Sequence, residues 1–248
     1  VADLIQFDRQ FAYPKGIQLL ETKEGHYYEV GNVVVPSVTT VLSVTEDHVV
    51  TRRWKYILSP EDQEAVRKAA AYVGTVMHQT IANILLGHPI EAPAKLQDLR
   101  GQHLAYRLLE SLVIGRLTHI FALEQQMHYY DRCAGTMDLY GLYDKNPTII
   151  DFKSSKGIPQ KEDIHNYFLQ LAAYALMQDA ICGTHTNHGA ILLISKQTLE
   201  VQAYRTAGRE FDNYKDQWKR RLDEYFRMRE VLRLDEKDAP PATGADGA

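Results

Sequence analysis

Apolar positions change period along the chain, and the changes mark its elements. Beyond a mixed stretch to residue 25, His26-Tyr27-Tyr28-Glu29-Val30 and Val33-Val34-Val35 flank Gly31-Asn32, the pattern of a hairpin ended by Pro36. From Ser59 the period becomes helical. Ser59 suits an N-cap and Pro60 a first turn, and Val66, Ala70, Val73, Met77, Ile81 and Leu85 recur at helical spacing, with a break expected near Gly74. Leu96, Leu99, Leu104, Leu108 and Leu112 predict a second amphipathic helix between Pro93 and Leu117. Ile120 to Tyr130 reads as a long strand. Gly135 to Ser155 reads as two more, joined by turn chemistry at Asn146-Pro147, with β-branched Thr148-Ile149-Ile150 in the second.

Ile164, Phe168, Leu171 and Ala175 place a helix over 161–182 against the sheet. Gly189–Ser195 and Leu199–Tyr204 make two further strands, and a closing helix from Arg209 to Leu234 turns Phe211, Trp218, Leu222 and Tyr225 inward. Residues 237–248 are rich in Pro, Gly and Ala and read as a disordered tail. The order helix, three strands, helix, two strands, helix predicts an α/β fold with a mixed central sheet flanked by helices. One domain over 1–236 is expected, with 1–58 an N-terminal hairpin and substrate-contact segment and 59–236 the core.

Composition narrows the function classes. With 248 residues, 45% of them hydrophobic, the chain can bury a full core. A net charge of -4 excludes a protein that coats nucleic acid by charge alone, though a local basic groove can still steer an anionic substrate. Cys133 and Cys182 alone cannot supply the four thiolates of an iron-sulfur cluster or a disulfide framework. No apolar run approaches a membrane span and the start lacks a signal-peptide pattern, so an intracellular protein is expected, cytoplasmic first, with a mitochondrial location as the alternative.

The chemistry concentrates between Gly135 and Ser155. Strand alternation points Asp151 and Lys153 the same way and Phe152 into the opposite layer, while Asp138 lies on the preceding strand. Two carboxylates suit a hard cation such as Mg²⁺, the Phe152 carbonyl offers a further ligand, and a lysine beside the metal can orient water or stabilise charge on a phosphate. Asp-x-Lys alone is weak evidence: Asp235-Glu236-Lys237 is a second copy, in a polar tail. The first copy differs because it ends an apolar strand and follows Gly-Thr-Met-Asp-Leu. Elsewhere, Ser37, Thr39 and Thr40 offer hydroxyls to a phosphate or to a helix cap. Trp54 among Arg52, Arg53 and Lys55 suits single-stranded nucleic acid or a half-buried ring.

Gly135-Thr136-Met137-Asp138-Leu139, Asp151-Phe152-Lys153-Ser154-Ser155 and Gln170-Leu171-Ala172-Ala173-Tyr174, in that order, resemble the signature of the PD-(D/E)XK nuclease superfamily in its RecB-like exonuclease branch. Pro36-Ser37-Val38-Thr39-Thr40 and Gly74-Thr75-Val76-Met77-His78 further resemble the mitochondrial genome maintenance exonuclease and its bacterial and phage relatives. The resemblance covers roughly Tyr27 to Ala180.

It implies a restriction-endonuclease-like core and a Mg²⁺- or Mn²⁺-dependent DNA exonuclease of repair, recombination or replication that prefers single strands with a free end. His78, Asp138, Asp151 and the Phe152 carbonyl would bind metal. Asp138, Asp151 and Lys153 would be catalytic, and Ser37, Thr39, Trp54, Ser154, Ser155, Gln170 and Tyr174 would contact the strand. Glu124 is a further candidate, since the family often carries an acid on this strand, although a surface salt bridge explains it equally well. A structure-selective endonuclease and a catalytically silent nucleic-acid-binding module are the alternatives.

Overall fold

The computed structural model describes residues 5–22, 25–46 and 59–238. Its first elements are β1 (Gln6–Phe7), β2 (Gln18–Thr22), β3 (Gly25–Val30), β4 (Val33–Pro36), α1 (Val38–Val44), α2 (Pro60–Leu86) and α3 (Leu96–Leu108). A π-helical turn over Leu109–Val113 leads to β5 (Leu117–Tyr129), β6 (Cys133–Tyr143) and β7 (Asn146–Ser155). A 3₁₀ turn opens α4 (His165–Cys182), and β8 (His188–Ser195), β9 (Val201–Ala207) and α5 (Gly208–Asp238) follow.

The main sheet has the order β1-β5-β6-β7-β8-β9. It is mixed: β5, β6 and β7 form an antiparallel meander, β7 runs parallel to β8 with α4 as the crossover, and β9 returns antiparallel. The edge strand β1 runs parallel to β5, so residues on both sides of position 58 contribute to this sheet. Strands β2, β3 and β4 make a separate antiparallel sheet, linked to β6 by a parallel bridge between Ser37 and Ala134.

Helices cover both faces, which is why Ile191 to Ile194 can be apolar without interruption. Ile149, Ile191 and Leu193 join Phe168, Leu171, Phe211, Trp218 and Leu222 on the α4–α5 side. Ile150, Phe152, Leu192 and Ile194 join Met77, Ile81, Leu104 and Leu108 on the α2–α3 side. The expected inward residues of α4 and α5 are all buried.

Several local expectations are corrected. The β6–β7 turn falls at Asp144-Lys145, whose φ values of 47° and 67° are left-handed, while Asn146 pairs with Tyr143 and Pro147 with Leu142. Two successive left-handed residues match the twist of a two-residue hairpin. Proline is tolerated at 147 because β8 does not pair with β7 until Ile149. Helix α2 runs unbroken through Gly74, but its buried stripe starts only at Val73, and Val66 is 59% exposed. Leu96 and Leu99 are likewise exposed. Gly101 of α3 packs on Val73 and Val76, and the first turn of α3 still meets α2 where Tyr72 donates to Asp98, so Leu96 and Leu99 are exposed because they fall outside that contact face. The closing helix runs past the expected Leu234 to Asp238, taking in 237 and 238; the rest of the expected tail lies outside the described residues, as do Arg52, Arg53, Trp54 and Lys55. No described helix is long and apolar enough to cross a membrane.

Candidate active site

The site lies where the sheet divides. The β6–β7 ladder runs from Tyr143–Asn146 to Leu139–Ile150 and stops. Asp138 and Asp151 would be the next pair, but beyond this point β6 continues with β5 and β7 with β8. The backbone bond lost at the fork is replaced by a side chain: the Phe152 amide donates to Asp138 Oδ2 at 2.8 Å. That bond fixes the carboxylate at the mouth of the opening.

A trio of donors gathers around Asp138. His78 lies beside the buried stripe of α2, its ring edge-on to Phe152 at 6.2 Å between centroids. Its Nδ1 is 3.4 Å from Asp138 Oδ2 and 3.8 Å from Glu124 Oε1. One ligand atom each from His78, Glu124 and Asp138 lie within 4.8 Å of one another. Glu124 stands opposite Asp138, since Leu123 pairs with Leu139 and Gln125 with Met137. Its φ of 47° is left-handed in the middle of a strand, a conformation that costs on the order of 1–3 kcal/mol for a residue with a side chain. Glu124 is exposed and its carboxylate pairs with His78, so the salt bridge expected from sequence and the candidate site are one contact.

Asp151 stands outside this trio. Its side chain is 1% exposed, Oδ2 is 2.6 Å from Lys153 Nζ, and Oδ1 has no donor among the described residues. Lys153 is itself 20% exposed and lies over the Tyr167 ring, 5.3 Å from its centroid. Asp151 and Lys153 thus share a face, and Phe152 is buried in the opposite layer, as alternation predicts.

The electrostatics separate the two acids. Burial pushes the Asp151 carboxyl up to about 6, with Asp138 adding to the rise and Lys153 opposing it. Burial also works against the Asp138 charge, but His78, Lys153 and the Phe152 amide together hold its pKa below the usual range. For Lys153 the burial penalty is outweighed by Asp151 and Asp138, so its pKa is raised and the ammonium stays charged. His78 behaves alike: burial lowers it, yet Asp138 and Glu124 carry it up to about 10. Carboxylates, one of them buried with an undonated oxygen, together with one imidazole form a donor set that fits a divalent cation.

The other expected contacts divide. Ser37 is 4% exposed and caps α1, its Oγ accepting from the Thr40 amide at 2.9 Å, so it is not open to a phosphate. Thr40 is used inside as well, donating to the His26 carbonyl. Thr39 is exposed and shares a hydrogen bond with Ser37. Ser154 and Ser155 are half-buried, and the Ser155 hydroxyl donates to the Gly157 carbonyl. Gln170 Nε2 donates to Tyr174 Oη at 3.2 Å, and both are buried. A Cβ at Gly135 would come within 2.8 Å of the Tyr174 ring, which explains the glycine that opens the Gly-Thr-Met-Asp run. Sequence reasoning missed Tyr167; its position one helical turn before Gln170 was the available signal.

Comparison with curated proteins finds no match. A family model does match, over residues 60–246, a span that contains His78, Glu124, Asp138, Asp151 and Lys153. With most of its length matched, the chain belongs to the PD-(D/E)XK nuclease superfamily, whose members are metal-dependent nucleases.

Proposed function

We propose that this protein is a Mg²⁺- or Mn²⁺-dependent DNA exonuclease of the RecB-like branch, akin to the mitochondrial genome maintenance exonuclease, acting on single strands with a free end. The observation that carries the nuclease chemistry is the divided sheet, with Asp138 and Asp151 at the fork and Lys153 paired to Asp151. His78, Glu124, Asp138, Asp151 and the Phe152 carbonyl would hold the metal, which when bound polarises the phosphate and lowers the pKa of water. Lys153 is charged, so it acts as a donor rather than as a base. It orients the attacking water and stabilises charge on the phosphate oxygens as the new P–O bond forms and the ester P–O bond breaks. Asp151 positions that ammonium, and the Phe152 amide fixes Asp138.

Thr39, Trp54, Ser154 and Ser155 would contact the strand, with the buried Ser37 acting through the cap it provides and the buried Gln170 and Tyr174 through the hydrogen bond they share. The reading takes residues 1–236 as one nuclease domain. The net charge of -4 supports the single-strand preference, because a duplex held through many phosphates calls for a broad basic face. Matched linear and circular single strands incubated in Mg²⁺ test the reading. The linear strand should be degraded and the circle left intact, with EDTA stopping the reaction. Rapid cutting of the circle would replace this reading with a structure-selective endonuclease, and binding without cleavage in any metal would point to a silent binding module.

A further inference from the structure

A second feature lies along β5, the strand that also carries Glu124. A pocket of about 430 Å³ lies between the N-terminal segment that follows β1 and the part of β5 around Glu124. Leu123 and Gln125, the two neighbours of Glu124, line it together with Phe11, Phe121, Arg9 and Lys15. Phe11 is half-buried, edge-on to Phe121 at 5.8 Å and tilted against Tyr140 at 5.9 Å, so its ring is held firmly while still bounding the pocket. Arg9 and Lys15 are exposed and have no ion-pair partner among the described residues, and no carboxylate is among the residues that line the pocket.

An aromatic wall with two unpaired cations at its rim, in a protein of net charge -4, is complementary to an aromatic ring that carries negative charge on either side. We propose that this pocket seats a nucleobase of the single-stranded substrate, stacked on Phe11, with Arg9 and Lys15 on the flanking phosphates. The inference rests on the single-strand nuclease reading and adds to it a base-binding position beside β5. Stacking of this kind is indifferent to base identity, because every base has a π face.

The test is binding of fluorescein-labelled oligothymidylate to the full chain in Ca²⁺, followed by anisotropy. A single abasic site walked along the strand should weaken wild-type binding about tenfold at one position, within the range for one stacked base. Phe11→Leu, which keeps the apolar volume, should bind the intact strand about tenfold more weakly and show no such position. Arg9→Gln with Lys15→Gln, both at exposed sites, should keep the position but flatten the salt dependence by about 1.4 in slope, the value for two phosphates of a single strand. A wild type indifferent to abasic sites, or a double variant with unchanged slope, would overturn the pocket's role while leaving the nuclease reading in place. Failure of the wild type to bind any single strand would sink both.

Discussion

At the scale of single residues, the site depends on charges that burial opposes and neighbours restore. Asp138→Asn, Asp151→Asn and Lys153→Ala should each lose at least ~10²-fold in turnover, the usual loss for an electrostatic group at a reacting centre, while circular dichroism shows the fold retained. Near-normal turnover in any one of them removes that residue from the chemistry. His78 supports a second expectation. Asp138 and Glu124 hold its pKa up at about 10, so the imidazole is protonated at pH 7, whereas a metal ligand must be neutral. Binding of Mn²⁺ at pH 7 should therefore release a proton from His78, and apparent affinity should rise as pH increases from 7 toward 10. Calorimetry in buffers of different ionisation enthalpy reads this directly, and His78→Ala should abolish that release.

At the scale of elements, α2 places His78, and α3 places α2. At Gly101 the two helices approach closely: a Cβ there would be 2.6 Å from Val76 Cβ and 2.9 Å from the Val73 carbonyl oxygen. Backbone cannot yield as a flexible side chain does, so Gly101→Ala should force the helices apart. A loss of roughly 1–3 kcal/mol is typical of such overpacking and is measurable by urea denaturation. Val76 is two residues from His78, so the same variant should also weaken Mn²⁺ binding. An unchanged midpoint and unchanged affinity would show that the helix pair absorbs a methyl group freely.

For the whole molecule, the consequence follows from where the candidate ligands originate. His78 is on α2, Glu124 on β5, Asp138 on β6 and Asp151 on β7, so only the native fold brings them together. An ion that binds the folded chain alone stabilises it by mass action, about 2.7 kcal/mol at a hundredfold excess over Kd. For a chain of this size the midpoint of thermal unfolding should rise by about 5–10 °C in saturating Mn²⁺. Asp138→Asn should show little of this shift. A wild-type midpoint indifferent to Mn²⁺ would mean that the cluster does not hold the ion.

From residue 59 onward the apolar pattern by itself determined the order of helices and strands, the inward faces of α4 and α5, and the shared direction of Asp151 and Lys153, whereas β1 and β2 lie in the stretch to residue 25 that carries no such period. These are local properties: the period of a segment shows which side it will bury, and a strand alternates whatever its partners. The Gly-Thr-Met-Asp and Asp-Phe-Lys runs likewise made the chemistry legible before any contact was known. Tertiary structure alone decided that the β6–β7 ladder parts between Leu139–Ile150 and the acidic pair, because where two strands separate depends on their outer partners, β5 and β8. It also decided that Glu124 turns into a left-handed conformation to meet His78, and that Ser37 caps α1 instead of facing solvent. Exposure of Val66, Leu96 and Leu99 belongs with these, since which apolar positions are covered depends on where the neighbouring helix packs. Strain and pairing limits are settled between segments distant in sequence, where the period of either segment carries no information.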